Sequence, residues 1–259
     1  MFGLFLRRSR EQTMNNFCSD FQRLSVSVVI PTYNEERFIG SLLSDLKKQT
    51  YQNFEIIVAD AFSNDKTRQI ALSYGAKVID GGKPSVGRNN GGFAANNELL
   101  VFMDADIRVK EDFLEEALRK FLQRRLDIAG GLFDTAKKTI FFKVVYGIWN
   151  ISKVLRQKSK SPDADGQFMI IKKSVFERLK GFNTELIVGE DFDFVQRSKN
   201  MGFVFGILDV MYVPSERRYR RVGFLRVVLG SVLGGVSAGT KHKWLQRISE
   251  WIYGGMGSM

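Results

Sequence analysis

Two observations predict an α/β fold with a mostly parallel central sheet flanked by helices. From Val26 onward, short β-branched runs alternate with stretches whose apolar residues recur at helical spacing. The second is the run Val101 to Ile107, Val-Phe-Met-Asp-Ala-Asp-Ile, a hydrophobic stretch that ends in two carboxylates one alanine apart. If the strand continues through them, alternation turns Asp104 and Asp106 to the same side, where both can reach one hard cation.

The elements follow in order. Val26 to Ile30 is a β-branched strand stopped by Pro31, and Phe38, Ile39, Leu42, Leu43 and Leu46 then mark a helix. Phe54 to Ala59 is a second strand ending at Asp60, followed by the polar loop Ser63-Asn64-Asp65 and a helix that Gly75 terminates. Lys77 to Ile79 is a short strand before the Gly81-Gly82 turn, and a helix through Ala94 and Ala95 leads into the Val101 strand. Phe113, Leu114, Ala117, Leu118 and Phe121 share one face of the next helix. After Ala129 the pattern loosens. Phe141 to Leu155 carries Phe141, Val144, Val145, Ile148, Trp149 and Leu155 near helical spacing, with Lys143, Lys153 and Arg156 elsewhere. Gly166 to Ile171 reads as a strand, Val175 to Leu179 as a helix, and a loop then enters Gly189-Glu190-Asp191-Phe192-Asp193. In a mostly parallel sheet, ligands sit beyond the carboxyl ends of the strands, so the loops at 31–36, 60–65 and 104–106 share one rim.

Composition narrows the function. The 259 residues, 44% of them hydrophobic, are enough to bury a full core. The single cysteine, Cys18, excludes an internal disulfide and fits a reducing compartment, the cytosol by default. Lys and Arg outnumber Asp and Glu by 39 to 28, a formal charge of +11 that favours anionic partners such as nucleotides or acidic lipid surfaces. No stretch combines basic and aromatic residues as a nucleic-acid platform does, so nucleic acid is not expected as a partner. Residues 1–24 form a basic segment in which Arg7, Arg8 and Arg10 follow a short apolar piece, the wrong order for a cleaved signal. No uncharged run approaches the roughly 18 to 20 apolar residues that span a bilayer.

Five motifs then occur in register with the strand ends. They are Val28 to Glu35 (Val-Val-Ile-Pro-Thr-Tyr-Asn-Glu), Asp60 with Ser63 to Thr67, Gly87-Arg88-Asn89, Asp104-Ala105-Asp106, and Glu190-Asp191-Phe192-Asp193 with Arg197. Together they resemble the family 2 glycosyltransferases over roughly Val26 to Tyr219. The resemblance implies the nucleotide-diphospho-sugar transferase (A-type) fold, which is Rossmann-like, and an inverting transfer from a UDP or GDP sugar to a hydroxyl on a glycan or lipid-linked acceptor. By the same resemblance Pro31, Tyr33 and Glu35 hold base and ribose, Asp60 accepts a hydrogen bond from the base, and Arg88 lies near the pyrophosphate, with Lys83 in the same glycine-flanked loop. Asp106 and Asp104 bind Mn²⁺ or Mg²⁺, Asp104 also reaching the donor. Asp191 is the catalytic base, Glu190 orients base or acceptor, and Gln167 meets an acceptor hydroxyl. Local chemistry supplies other readings, in which Asp60 and Asp65 cap a turn and a helix. A polyprenyl-phosphate glycosyltransferase and an inactive nucleotide-sugar-binding subunit are the alternatives.

Two departures stand out. Ala61 and Phe62 follow Asp60 where many relatives carry an acid and a glycine, and Pro214-Ser215-Glu216-Arg217-Arg218 stands where many place a metal-binding histidine. His242, the only histidine, is too far along for that role. The expected organisation is a transferase domain over residues 25–221 and an amphipathic helical extension over 222–259. In the extension, basic residues flank Trp244 and Trp251. That segment suits either the headgroup zone of an anionic membrane or a helix covering the core, the first placing the protein peripherally on the cytoplasmic face.

Overall fold

The computed structural model describes residues 21, 24–134, 140–159, 162, 165–186, 188–215, 217 and 223. Most of the basic N-terminal segment, Cys18 included, and most of the extension, with His242, Trp244 and Trp251, lie outside these residues, as do Glu216 and Arg218. Seven strands form one sheet in the order β3-β2-β1-β4-β6-β5-β7. They are β1 (Val26–Thr32), β2 (Phe54–Asp60), β3 (Lys77–Asp80), β4 (Leu99–Met103), β5 (Ile128–Phe133), β6 (Phe168–Lys172) and β7 (Phe205–Tyr212). The helices are α1 (Ile39–Lys47), α2 (Thr67–Ser73), α3 (Pro84–Ala94), α4 (Phe113–Gln123), α5 (Ile140–Arg156), α6 (Lys173–Arg178) and α7 (Glu190–Asn200). All neighbouring strands pair in parallel except at β6, which runs antiparallel to β4 and β5. The mostly parallel sheet is therefore present, and β6 starts at the rim where the others end.

That reversal places the segment before β6 against the segment after β4. Met103 pairs with Phe168, and the Asp104 N–H donates to the Gln167 carbonyl at 3.0 Å. The chain goes from β1 outward to β2 and β3, then crosses back through α3 to β4 on the other side of β1. Strand order therefore switches between β1 and β4, which opens a crevice at the carboxyl ends of the two strands.

Two apolar clusters, one on each side of the sheet, make the core. On one side α4 buries Phe113, Leu114, Ala117, Leu118 and Phe121, the face its periodicity predicts. Each of its larger side chains contributes about 1.5–3 kcal/mol on burial. On the other side α3 packs so closely on β1 that a Cβ at Gly91 would lie 2.2 Å from Val29 Cγ1. Among the described residues no helix is long and apolar enough to cross a membrane.

Two expectations need correction. Pro31 does not stop β1, which continues to Thr32; the proline lies beyond Val29–Phe102, the last pair between β1 and β4. Arg88 lies within α3, not in a loop with Lys83. Strands β5 and β7 had no clear signal, because Gly130 and Gly131 interrupt the first and the second alternates with exposed residues only near its end.

The α3 contact gives a direct test. Val29 is β-branched and fully buried, so it cannot yield to an added methyl group. Gly91→Ala is expected to lower the unfolding free energy by about 1–3 kcal/mol, read as a lower urea midpoint at constant slope. An unchanged midpoint would show that α3 moves away from the sheet freely.

Candidate active site

The first two rim loops are laced to each other. The Asn34 N–H donates to Ser63 Oγ, the Asn64 N–H to Asn34 Oδ1, the Glu35 N–H to Thr67 Oγ1 and the Glu36 N–H to Asp65 Oδ2, all within 2.7–3.1 Å. Asp65 also receives the Thr67 N–H and hydroxyl, the helix-start chemistry open to it from sequence. Pro31 and Tyr33 are half-buried along this loop. Asp60 is wholly enclosed, its side chain 0% exposed. Its carboxylate accepts from the Thr32 and Ser63 hydroxyls and the Ser63 N–H, and Arg68 closes on it at 3.4 Å. In this structure Asp60 organises the turn. The residue presented outward is Phe62, 65% exposed and at φ 57°, a backbone region that bulky residues rarely adopt.

The Asp104-Ala105-Asp106 segment is not a strand continuation. It turns, with Ile107 N–H donating back to the Asp104 carbonyl at 3.5 Å, so the alternation argument does not apply to these two acids. Two different guanidinium groups hold them. Arg88 Nη2 reaches Asp104 Oδ1 at 2.9 Å, and Arg217 Nη2 reaches Asp106 Oδ2 at 3.3 Å. The following residues are fixed on α1, where Asp45 takes a two-pronged pair from Arg108 at 2.6 and 2.7 Å.

Arg88 is the hub of the far side. Its side chain is 5% exposed, and it donates to Glu190 at 2.6 Å and to the Gly166 carbonyl at 3.2 Å as well as to Asp104. Burial works against its charge, but Asp104, Glu190 and Asp191 outweigh that and hold it firmly protonated. Its Nε has no partner. The resemblance puts Arg88 beside a pyrophosphate; here its other nitrogens are committed to acids and one carbonyl.

Asp191 opens α7 behind Gly189, which takes φ 80°. Its Oδ2 accepts the Gly166 N–H at 2.7 Å and its Oδ1 the Phe192 N–H at 2.9 Å. Burial first, then the charges of Glu190 and Asp165, push its carboxyl up to about 7, with Arg88 opposing. A Cβ on Gly166 would meet Arg88 Nη2 at 3.0 Å and Asp191 Oδ2 at 3.2 Å, so the glycine lets the Asp191 carboxylate and the arginine close on one peptide. The Gln167 side-chain oxygen is buried without a hydrogen bond, while its backbone is tied to Asp104 and Asp165. Asp193 and Arg197 pair at 2.6 Å, and Arg197 also binds the carbonyls of Leu179 and Gly181, which anchors α7.

Sequence reading missed the support beneath this segment. Lys153 of α5, 1% exposed, pairs with Asp165 at 3.3 Å and lies over the Phe133 ring at 4.0 Å, and the Tyr212 hydroxyl donates to the same carboxylate. The available signal was a lysine four residues after Trp149 and seven after Tyr146, on the helix face those aromatics bury.

The acids at the mouth suit a hard cation. Burial is the main reason the Glu35 carboxyl is raised; Arg217 opposes the shift, and the charges of Asp106 and Asp104 add to it. Glu35 is held by Arg217 through two bonds of 2.9 and 2.8 Å. Asp104 and Asp106 would be the residues to hold Mg²⁺ or Mn²⁺, since their carboxylates are the oxygen donors such cations take. Among the described residues no group of three or more His, Cys, Asp or Glu side chains is arranged to hold a metal by itself. Arg217 brings a fixed positive charge to the region where the resemblance would place a histidine.

Comparison with known proteins matches these features. Residues 27–180, more than half of the chain, match the model of "Glycosyl transferase family 2". The poly(ribitol-phosphate) beta-N-acetylglucosaminyltransferase TarS of Staphylococcus aureus is 34% identical over 104 residues, which cover 36% of this chain and 18% of TarS. The chain thus aligns with under a fifth of that relative. Among solved structures, the mannosyltransferase PcManGT from Pyrobaculum calidifontis, in complex with GDP-Man and Mn²⁺, superposes with a TM-score of 0.68 at 19% identity. That match covers 89% of this chain and 70% of PcManGT. Glucosyl-3-phosphoglycerate synthase from Mycobacterium tuberculosis gives 0.54 at 15% identity, with 82% and 80% covered. The shared architecture is the A-type nucleotide-sugar transferase fold, and by its matched motifs the chain belongs to glycosyl transferase family 2.

Proposed function

We propose that this chain is an inverting glycosyltransferase, with residues 25–221 as the catalytic unit, that moves a sugar from a UDP or GDP donor to a hydroxyl on a glycan or lipid-linked glycan. The observation that carries the reading is Asp191. It is a carboxylate held at one oxygen by the Gly166 N–H and raised to about 7, on the same Arg88-centred network as Asp104.

A hydroxyl attacks an anomeric carbon only as its proton departs, and a base titrating near neutrality accepts that proton efficiently. The Gly166 N–H fixes the orientation of the carboxylate, and Glu190 is held beside it by Arg88. Attack opposite the leaving diphosphate inverts the sugar. Asp104 and Asp106 would hold the divalent cation, Mn²⁺ or Mg²⁺, which supplies charge stabilisation to the departing diphosphate. Arg217 adds a cation on the same side, kept in place by Glu35 and by the Phe38 ring 5.1 Å away. Gln167, with its unpaired oxygen, is the candidate for an acceptor hydroxyl. Pro31, Tyr33 and Glu35 line the donor side, where Asp60 acts through the Ser63 turn it braces.

Phe62 is read as the face on which the base lies. Backbone strain at an exposed aromatic residue points to use of the ring by a ligand.

Release of nucleoside diphosphate from UDP and GDP sugars in the presence of Mn²⁺ is the direct test, and no release from either donor would overturn the reading. Asp191→Asn is expected to reduce kcat by about 10²–10⁴ with donor affinity retained. The wild-type kcat/KM should rise with pH through about 7 as Asp191 loses its proton, a limb that the variant lacks. Phe62→Ala should raise the donor KM by about tenfold and spare kcat, since the loss of stacking weakens ground and transition states alike. Equal losses in kcat and kcat/KM would place Phe62 at the chemistry instead.

A further inference from the structure

Helix α5 packs Val145, Tyr146 and Trp149 on the core and carries a second set of apolar residues on the side away from it. Sequence periodicity groups Val144, Ile148 and Leu155 with Trp149 as one packing face, yet the structure packs Val145, Tyr146, Trp149 and Lys153 inward and turns Val144, Ile148 and Leu155 out. Ile140, Val144, Ile148, Ile151, Val154 and Leu155 are between 42% and 79% exposed. Their spacing of three and four residues makes one stripe along about four turns. Gly147 lies within the stripe, with nothing within 4 Å of a Cβ built there. The opposite face is firmly seated: Asn150 bonds both the N–H and the carbonyl of Phe133 at 2.8 Å, and Lys153 is locked to Asp165. The stripe is therefore not a helix waiting to rotate inward.

Charge identifies what covers it. Residues 135–162 contain seven lysines and arginines and no acid. Lys143, Arg156 and Lys158 of this stretch are exposed on and just after the helix. A second copy docking stripe to stripe would bring two such basic segments together at a repulsive cost. The chain's own 222–259 segment is basic as well, with Lys241, Lys243 and Arg247 against Glu250. The complementary surface is apolar inside and anionic at its face, and an acidic lipid bilayer has that structure.

We propose that α5 is a membrane-docking helix. It lies in the interface of an anionic bilayer with the Ile140-to-Leu155 stripe among the acyl chains and Lys143, Arg156 and Lys158 at the headgroups. Because Lys153 on its inner face grips Asp165, next to Gly166, docking holds the candidate active site at the bilayer surface. Binding itself is independent of the proposed transfer reaction and is measured without donor or metal.

The test is co-sedimentation of the full chain with vesicles of phosphatidylcholine alone and of phosphatidylcholine mixed with phosphatidylglycerol. The wild type should bind the mixed vesicles, weaken as salt rises, and bind the neutral ones far less. Val144→Glu/Ile148→Glu/Ile151→Glu should lose about tenfold or more of that binding. Its thermal midpoint and donor hydrolysis should stay unchanged, which separates this result from misfolding or from failure of the catalytic reading. Trp244→Ser/Trp251→Ser should retain most of the binding. Wild-type binding that survives the α5 substitutions but disappears with the tryptophan pair overturns the proposal, as does an absence of binding to either vesicle. A dimer in solution that the α5 substitutions dissociate assigns the stripe to a second copy and overturns it equally.

Discussion

The site depends on one buried cation. Arg88 leaves α3 and ties together the turn after β4, the start of α7 and the peptide before β6, through Asp104, Glu190 and the Gly166 carbonyl. Enclosing a guanidinium costs several kcal/mol, and only well-formed partners offset that cost. Here two carboxylates and a carbonyl do so, with the charge of Asp191 nearby. Removing either charged partner would leave a buried charge short of its balance, so the three segments are fixed relative to one another before any ligand arrives. Such preorganisation is what a base and its neighbours need to work within fractions of an ångström.

The same cluster carries an excess of acids. Among the described residues around the rim, Glu35, Asp104, Asp106, Asp165, Glu190 and Asp191 are set against Arg88, Arg217 and Lys153. That imbalance has two consequences. It adds to burial, the main cause, in raising Asp191 and Glu35, since each added proton relieves repulsion in a region already short of water. It also makes the mouth hostile to a bare diphosphate. A hard divalent cation at Asp104 and Asp106 would relieve both problems, and Arg217 supplies part of that relief from the chain itself. Arg217 is a permanent charge in the region where the resemblance would place a histidine, held there by Glu35 and Asp106.

Much of this was legible in the sequence, and the failures have physical causes. The first four strands, the amphipathic α4 and the three rim loops were readable because local signals and tertiary packing agree there: β-branched runs end in polar turns, and α4 buries the face its periodicity marks. What was lost depends on contacts distant in sequence. The turn at Asp104 is imposed by the Gln167 carbonyl, 63 residues on, so alternation within Val101 to Ile107 could not reveal it. Lys153 was set apart from the apolar spacing with Lys143 and Arg156, because its partner Asp165 arrives only when β6 folds back antiparallel. The enclosure of Asp60 likewise depends on Thr32, a residue on the neighbouring strand.

Net charge shows how composition and site can point in opposite directions. A formal charge of +11 invites the reading that the chain attracts its nucleotide by bulk electrostatics, yet the rim is where acids prevail. Over distances beyond a Debye length of about 8–10 Å, exposed charges elsewhere contribute little to binding in the crevice. The surplus must therefore act where it is exposed, and one dense run of it, residues 135–162, brackets a helix that presents apolar side chains to the outside. Acid at the site and base beside an apolar stripe are two separate adaptations. The first offers carboxylate oxygens to a cation and adds to the burial that raises Asp191; the second, on the docking proposed for α5, would set the surface on which the candidate site is held. They meet physically at Lys153, a residue of the basic helix whose charge is spent inward on the acid beside Gly166.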